Sequence, residues 1–199
     1  QSLKVPSTQA ASVSDAESLP PSGVTLVRNG NLETLTFVLH LPEKFRIQAN
    51  SQGVGFITLS LVGEELSTPL SNDSVNGDTF IPISGLTTTA TISNVPFSDG
   101  KIRLVTVQGY DGNRNKLTNF VGKGFYRSDK SQTTITIEIN RRRFVSGQIL
   151  EQLLTNQSST LSTINLESLQ SAIDGQTGYN NTTEKFTSDP STLSVSTLV

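Results

Sequence analysis

The chain has 199 residues, 16% of them charged, a formal net charge of −2, and no Cys, Met or Trp. That length suffices for one sizeable core with appendages; the near-neutral charge provides no field for nucleic acid or an anionic membrane. Without Cys there is no disulfide, thiol nucleophile or Cys-ligated zinc among these residues, and no apolar run approaches the roughly 20 residues of a transmembrane helix.

No basic-plus-apolar leader opens the sequence and it holds no Met, so a processed, mature form is the natural expectation, with a lipid-bearing cysteine ahead of Gln1 as one version of it. Richness in Ser, Thr, Asn and Gln with few charges fits an exported protein of the bacterial cell surface. Residues 1–23 contain three prolines and no hydrophobic period. They read as an N-terminal tail, either a flexible tether or a strand donated to a neighbour.

Residues 24–144 read as a β-sandwich. Leu35, Phe37, Leu39 and Leu41 alternate with Thr34, Thr36, Val38 and His40, the pattern of a half-buried strand. Ile57, Leu59 and Leu61 repeat it, Asn76-Gly77 signals a type I′ turn, and Pro82 places the strand at residues 80–83 on a sheet edge. The organising stretch is 86–126. Two β-rich runs, 87–95 and 101–110, flank Pro96-Phe97-Ser98-Asp99-Gly100, which reads as the turn of a hairpin. Leu104, Val105 and Val107 occupy both faces of the second run, as in a central strand covered on both sides.

In the next run Phe120 and Tyr126 share a face with Gly122 and Gly124, an arrangement that lets rings lie over bare backbone. Ile135, Ile137 and Ile139 give the cleanest alternation in the chain. About seven short strands joined by Gly, Pro, Asn and Asp turns imply a mainly β, antiparallel sandwich. From 145 to 199 the period changes to a helical extension: Ile149, Leu150, Leu153 and Leu154 form a stripe after Ser146. A second helix starts at Asn165 as N-cap, with Ile164 and Leu169 as a hydrophobic staple and Gly175 as its stop. Residues 192–199 end the extension as a strand-like tail with Leu193, Val195 and Val199 on one side.

With those strands read, residues 90–117 resemble the late strands of immunoglobulin-like and fibronectin type III-like modules of bacterial surface proteins and lipoproteins. Val105, Val107, Gly109, Tyr110 and Asp111 match the strand-into-loop pattern, and Ile135 to Ile139 the closing strand. The resemblance covers about half the chain and implies an immunoglobulin-like sandwich in an extracytoplasmic setting, with no catalytic residues to carry over.

Candidate chemistry is sparse. His40 is the single histidine, sits among threonines, and has no GxSxG nucleophile to serve. Asp111, Asn113 and Asn115 have the spacing that opens a calcium loop, but Lys116 and Gly122 stand where an EF-hand wants Gly and Glu, so a hairpin loop is the ordinary alternative. Arg141, Arg142 and Arg143 are either a solvated strand end or a docking patch for an acidic partner or surface glycan. Phe120, Tyr126 and Tyr179 would make a sugar platform if coplanar and exposed, and core packing if not. Glu64, Glu65, Asp73 and Asp78 lie in loops without the apolar setting that tunes a carboxyl for acid catalysis.

The expectation is therefore a non-enzymatic structural or adhesive protein with no cofactor. In one form it is a fibre subunit that self-associates by strand addition from a terminus, with the three arginines and Leu193, Val195 and Val199 as partner-binding residues. A tethered lipoprotein-type binding module and a carbohydrate-binding module are the alternatives.

Overall fold

The computed structural model describes residues 28–45, 53–156, 161 and 163–193. Residues 1–23, Val195 and Val199, on which the tether and donated-strand expectations fall, lie outside the described residues. Among the described residues nine strands form two sheets that share one core, and two helices cover the outer face of the second sheet.

The first sheet is built on β2 (Leu32–His40), which buries Leu35, Phe37 and Leu39 as its alternation requires. Along one edge lies β6 (Thr87–Pro96), antiparallel. The other edge is shared: β1 (Arg28–Asn29) pairs with Leu32 and Glu33, and β9 (Thr134–Glu138) runs parallel to Thr36–His40. Asn94 is left-handed (φ 63°), and the irregularity moves the buried position of β6 from Ile92 on to Val95.

In the second sheet β3 (Phe56–Gly63) pairs on one side with β4 (Leu70–Ser71) and β5 (Ile81–Pro82), and on the other with β7 (Ile102–Tyr110), beyond which lies β8 (Lys116–Arg127). Central β7 is apolar on both faces, as expected. Val105 and Val107 join the inter-sheet core, while Ile102 joins the cluster beneath the helices. The edge position of the Pro82 strand and the left-handed Asn76 and Gly77 also match the expectation.

Five readings are corrected. The runs flanking Asp99-Gly100 are not the arms of a hairpin: β6 belongs to the first sheet and β7 to the second, so residues 97–101 form an arch from one layer to the other. Asp-Gly specifies a turn, not which sheet the chain enters. The sandwich is not wholly antiparallel, because β9 joins β2 in parallel after a long excursion through the second sheet. The first helix, α1 (Arg141–Thr155), begins before Ser146, with the Asn140 side chain accepting the Arg143 N–H at 2.8 Å as N-cap. The second, α2 (Leu166–Thr177), is capped by Asn165 as expected but runs past Gly175 to stop at left-handed Gly178 (φ 62°). Finally, the bare faces of Gly122 and Gly124 are filled by Ile139 and Ile137 rather than by aromatic rings. Tyr126 instead meets Phe37 edge-on, and Phe120 meets Phe45.

Candidate functional site

Among the described residues β8 pairs with β7 alone, leaving one side of a 12-residue strand open. Its orientation follows from the ladder. Ser128 donates to the Lys101 carbonyl at 2.7 Å, so alternate residues Tyr126, Gly124 and Gly122 direct their backbone groups to β7. The N–H and C=O groups of Lys123 and Val121 then point outward. Nearer the loop, the outward Asn119 carbonyl accepts the Lys44 ammonium at 3.1 Å.

This edge opens into a groove of about 630 Å³. Val121 and Lys123 of β8, Phe144 and Gln148 of α1, and Pro42 and Pro190 line it. Three features of the fold create it: the 3₁₀ turn Glu43–Phe45 after β2, the short passage from β9 into α1, and the 3₁₀ turn Pro190–Thr192. The glycines contribute directly, since Ile137 and Ile139 occupy the space of their missing side chains and draw β9 close to β8.

The groove is basic. Lys44 is held below the ordinary lysine range by burial first and by the nearby Arg141 second. Lys123 is nearly buried, its ammonium between Thr106 Oγ1 (3.3 Å) and Glu151 Oε2 (3.4 Å). Asp189 also lines the groove, its carboxyl below the usual range, chiefly through hydrogen bonds from Ser191 and to a lesser degree through Arg141.

The arginine run divides. Arg141 lies over the Phe186 ring and lines the groove, Arg142 is bidentate to Asp174, and Arg143 donates to Gln170 Oε1 at 3.1 Å while stacking on Phe125. Two of the three thus tie α1 to α2 and the second sheet. Leu193 packs on the helix cluster. Asp111 Oδ1 accepts the N–H groups of Asn113 and Asn115, both at 2.8 Å, and its other oxygen accepts the Asn115 amide, so these three residues close the β7–β8 loop on itself. Among the described residues no cluster of three His, Asp or Glu side chains is arranged to hold a metal.

His40 faces outward, paired with its register partner Glu138 at 2.5 Å. Glu64 accepts the Ile102 N–H at 2.6 Å and Glu65 pairs with Arg103 at 2.8 Å. Asp73 accepts from Thr91, from the Ser93 hydroxyl and from the Ser93 N–H, while Asp78 pairs with Arg114. These carboxylates hold loops to strands. Phe120, Tyr126 and Tyr179 lie at three separate places, each against another ring. Sequence reasoning missed Lys44, Lys123 and the β8 edge; the one available signal was the Gly-Lys-Gly in β8, a site of close backbone approach.

Comparison with known proteins produced no match to a family model, a curated protein or a solved structure.

Proposed function

We propose that this chain is a non-enzymatic structural or adhesive protein of the bacterial cell surface, built on an immunoglobulin-like module and joined to its neighbours by strand addition at β8. One observation carries the reading: outward backbone groups of Val121 and Lys123 line an open groove instead of a covered flank. Soluble β proteins ordinarily blunt such edges, because unpaired N–H and C=O groups template a further strand. A groove beside the edge gives the added strand side-chain contacts as well as backbone partners. The two facing sheets joined by an arch support kinship with immunoglobulin-like surface modules. The carboxylates described above, each engaged in holding the fold, support a structural rather than a catalytic role. The glycan-binding alternative has less support, since its three rings lie apart.

The test is sedimentation velocity and negative-stain microscopy of the full chain beside Val121→Pro. Proline removes one outward N–H at an edge position where it is tolerated, so the variant keeps its circular dichroism. The expected result is assembly by the parent chain and a monomer for the variant. A parent chain that stays monomeric at high concentration, or a variant that assembles as well as the parent, overturns the reading.

A further inference from the structure

Three cations, Lys44, Lys123 and Arg141, line the groove together with one carboxylate, Asp189. Lys44 and Arg141 lie at the Asn119 end of the open edge, and the depressed basicity of Lys44 reflects both its burial and that neighbouring guanidinium. An added strand carrying carboxylates would relieve this crowding. Two terminal segments outside the described residues are long enough to add a strand. Residues 194–199 contain no Asp or Glu. Residues 12–19 alternate Ser12, Ser14, Ala16 and Ser18 with Val13, Asp15, Glu17 and Leu19, so both acids fall on one face of an extended strand.

Resting on the strand-addition reading above, we infer that the groove beside β8 receives residues 12–19 of a second copy of this chain, with Asp15 and Glu17 set against Lys44 and Arg141. The small face of the segment suits close approach to the groove wall, while the acidic face meets the cations.

The donor is a second copy because the strand-addition reading joins neighbouring chains at β8. Every pairing in the second sheet is antiparallel. An antiparallel addition to β8 leaves Leu19 at the Lys44 end, beside the C-terminus of β2. The same chain enters the first sheet at Arg28, opposite the start of β2. Arg28 pairs with Glu33, and the seven steps from Glu33 to His40 span about 23 Å, within the roughly 32 Å that the nine steps from Leu19 to Arg28 cover when fully extended, so a tail folded back on its own chain is the competing arrangement and leaves the parent chain monomeric.

The experiment uses two full-length charge-reversed variants, D15K/E17K and K44E/R141E, each checked by circular dichroism for an intact fold. Glu at the first position of α1 suits the helix N-terminus, so the second variant keeps its helix. Each variant alone should assemble on the order of tenfold more weakly than the parent. Mixed in equal amounts, the two should co-assemble at parental strength, since each tail then meets a groove of opposite charge. If Val121→Pro abolishes assembly but D15K/E17K does not, strand addition stands and the donor assignment falls. If both variants are monomeric and mixing restores nothing, the donor assignment also falls. A parent chain that does not assemble removes both readings.

Discussion

Arg103 of β7 donates from Nη2 to the Pro96 carbonyl at 2.6 Å, tying the second sheet to the end of the strand that left the first. The rest of the guanidinium is used as well. Nε bonds Glu65 Oε1 at 2.8 Å, Nη2 bonds Ser98 Oγ at 3.0 Å, and Nη1 bonds the Tyr126 hydroxyl at 3.3 Å. Burial pushes that hydroxyl up to about 12, against the opposing pull of Arg103. The arch is thus held by a buried cation whose planar fork serves several acceptors at once.

Removing that cation leaves the half-buried Glu65 without its partner. Arg103→Ala should destabilise the protein by roughly 3–5 kcal/mol, with Arg103→Lys recovering only part because an ammonium cannot reproduce the fork. Urea unfolding gives the number, and a loss below about 1 kcal/mol would show that the arch does not depend on Arg103.

Gly122 and Gly124 predict a coupling. A Cβ at either position lands on a methyl of Ile139 or Ile137. Gly122→Ala should cost about 1–3 kcal/mol through overpacking. Combined with Ile139→Ala, it should cost less than the sum of the two single changes, because the second truncation empties the contested space. Strict additivity in a double-mutant cycle would mean that β8 and β9 do not meet there.

The helical layer should loosen before the sheets. Asp174 accepts Arg142 Nε at 3.0 Å and Nη2 at 2.7 Å, and also the Gln170 amide at 2.9 Å. Asp174→Ala should lower stability by about 1–2 kcal/mol. It should also speed amide exchange in α2 while leaving β7 protected. Equal acceleration in both elements would mean that the layers open as one unit.

Asp111 predicts an acid-side effect. Its carboxyl is held below the usual range, first by the Asn115 N–H, then by the Asn115 side chain and the Asn113 N–H. A depressed carboxyl contributes fully above its unfolded value of about 3.9 and loses that contribution as pH falls through the lower folded value. The β7–β8 loop should therefore be intact at neutral pH and should open only on the acid side of about 3.9. NMR titration of Asp111 checks this; a midpoint at or above the unfolded value would contradict the loop geometry. Because the same oxygens already accept N–H groups, calcium titration should produce no heat.

Much of the local structure is legible without coordinates. The buried sets 35/37/39, 57/59/61 and 135/137/139 follow from alternation, and β7 reveals its double burial by being apolar on both faces. The start of α2 is readable because an N-cap and its staple are local events: Asn165 accepts the Ser168 N–H at 2.9 Å, and Ile164 and Leu169 join one cluster. The beginning of α1 was hidden because three consecutive arginines carry no apolar period until their partners are known.

Alternation along the chain determined which faces of these segments are apolar, because that pattern is a property of neighbouring residues alone. Which strand lies beside which was decided only in three dimensions, where all the strands compete for backbone partners at once. Among the described residues that competition turned an apparent hairpin into an arch, set β9 parallel to β2 and left β8 with an open flank. The groove belongs to the second category: an unfilled edge is defined by the neighbour that no strand supplies, and no residue pattern within β8 encodes it.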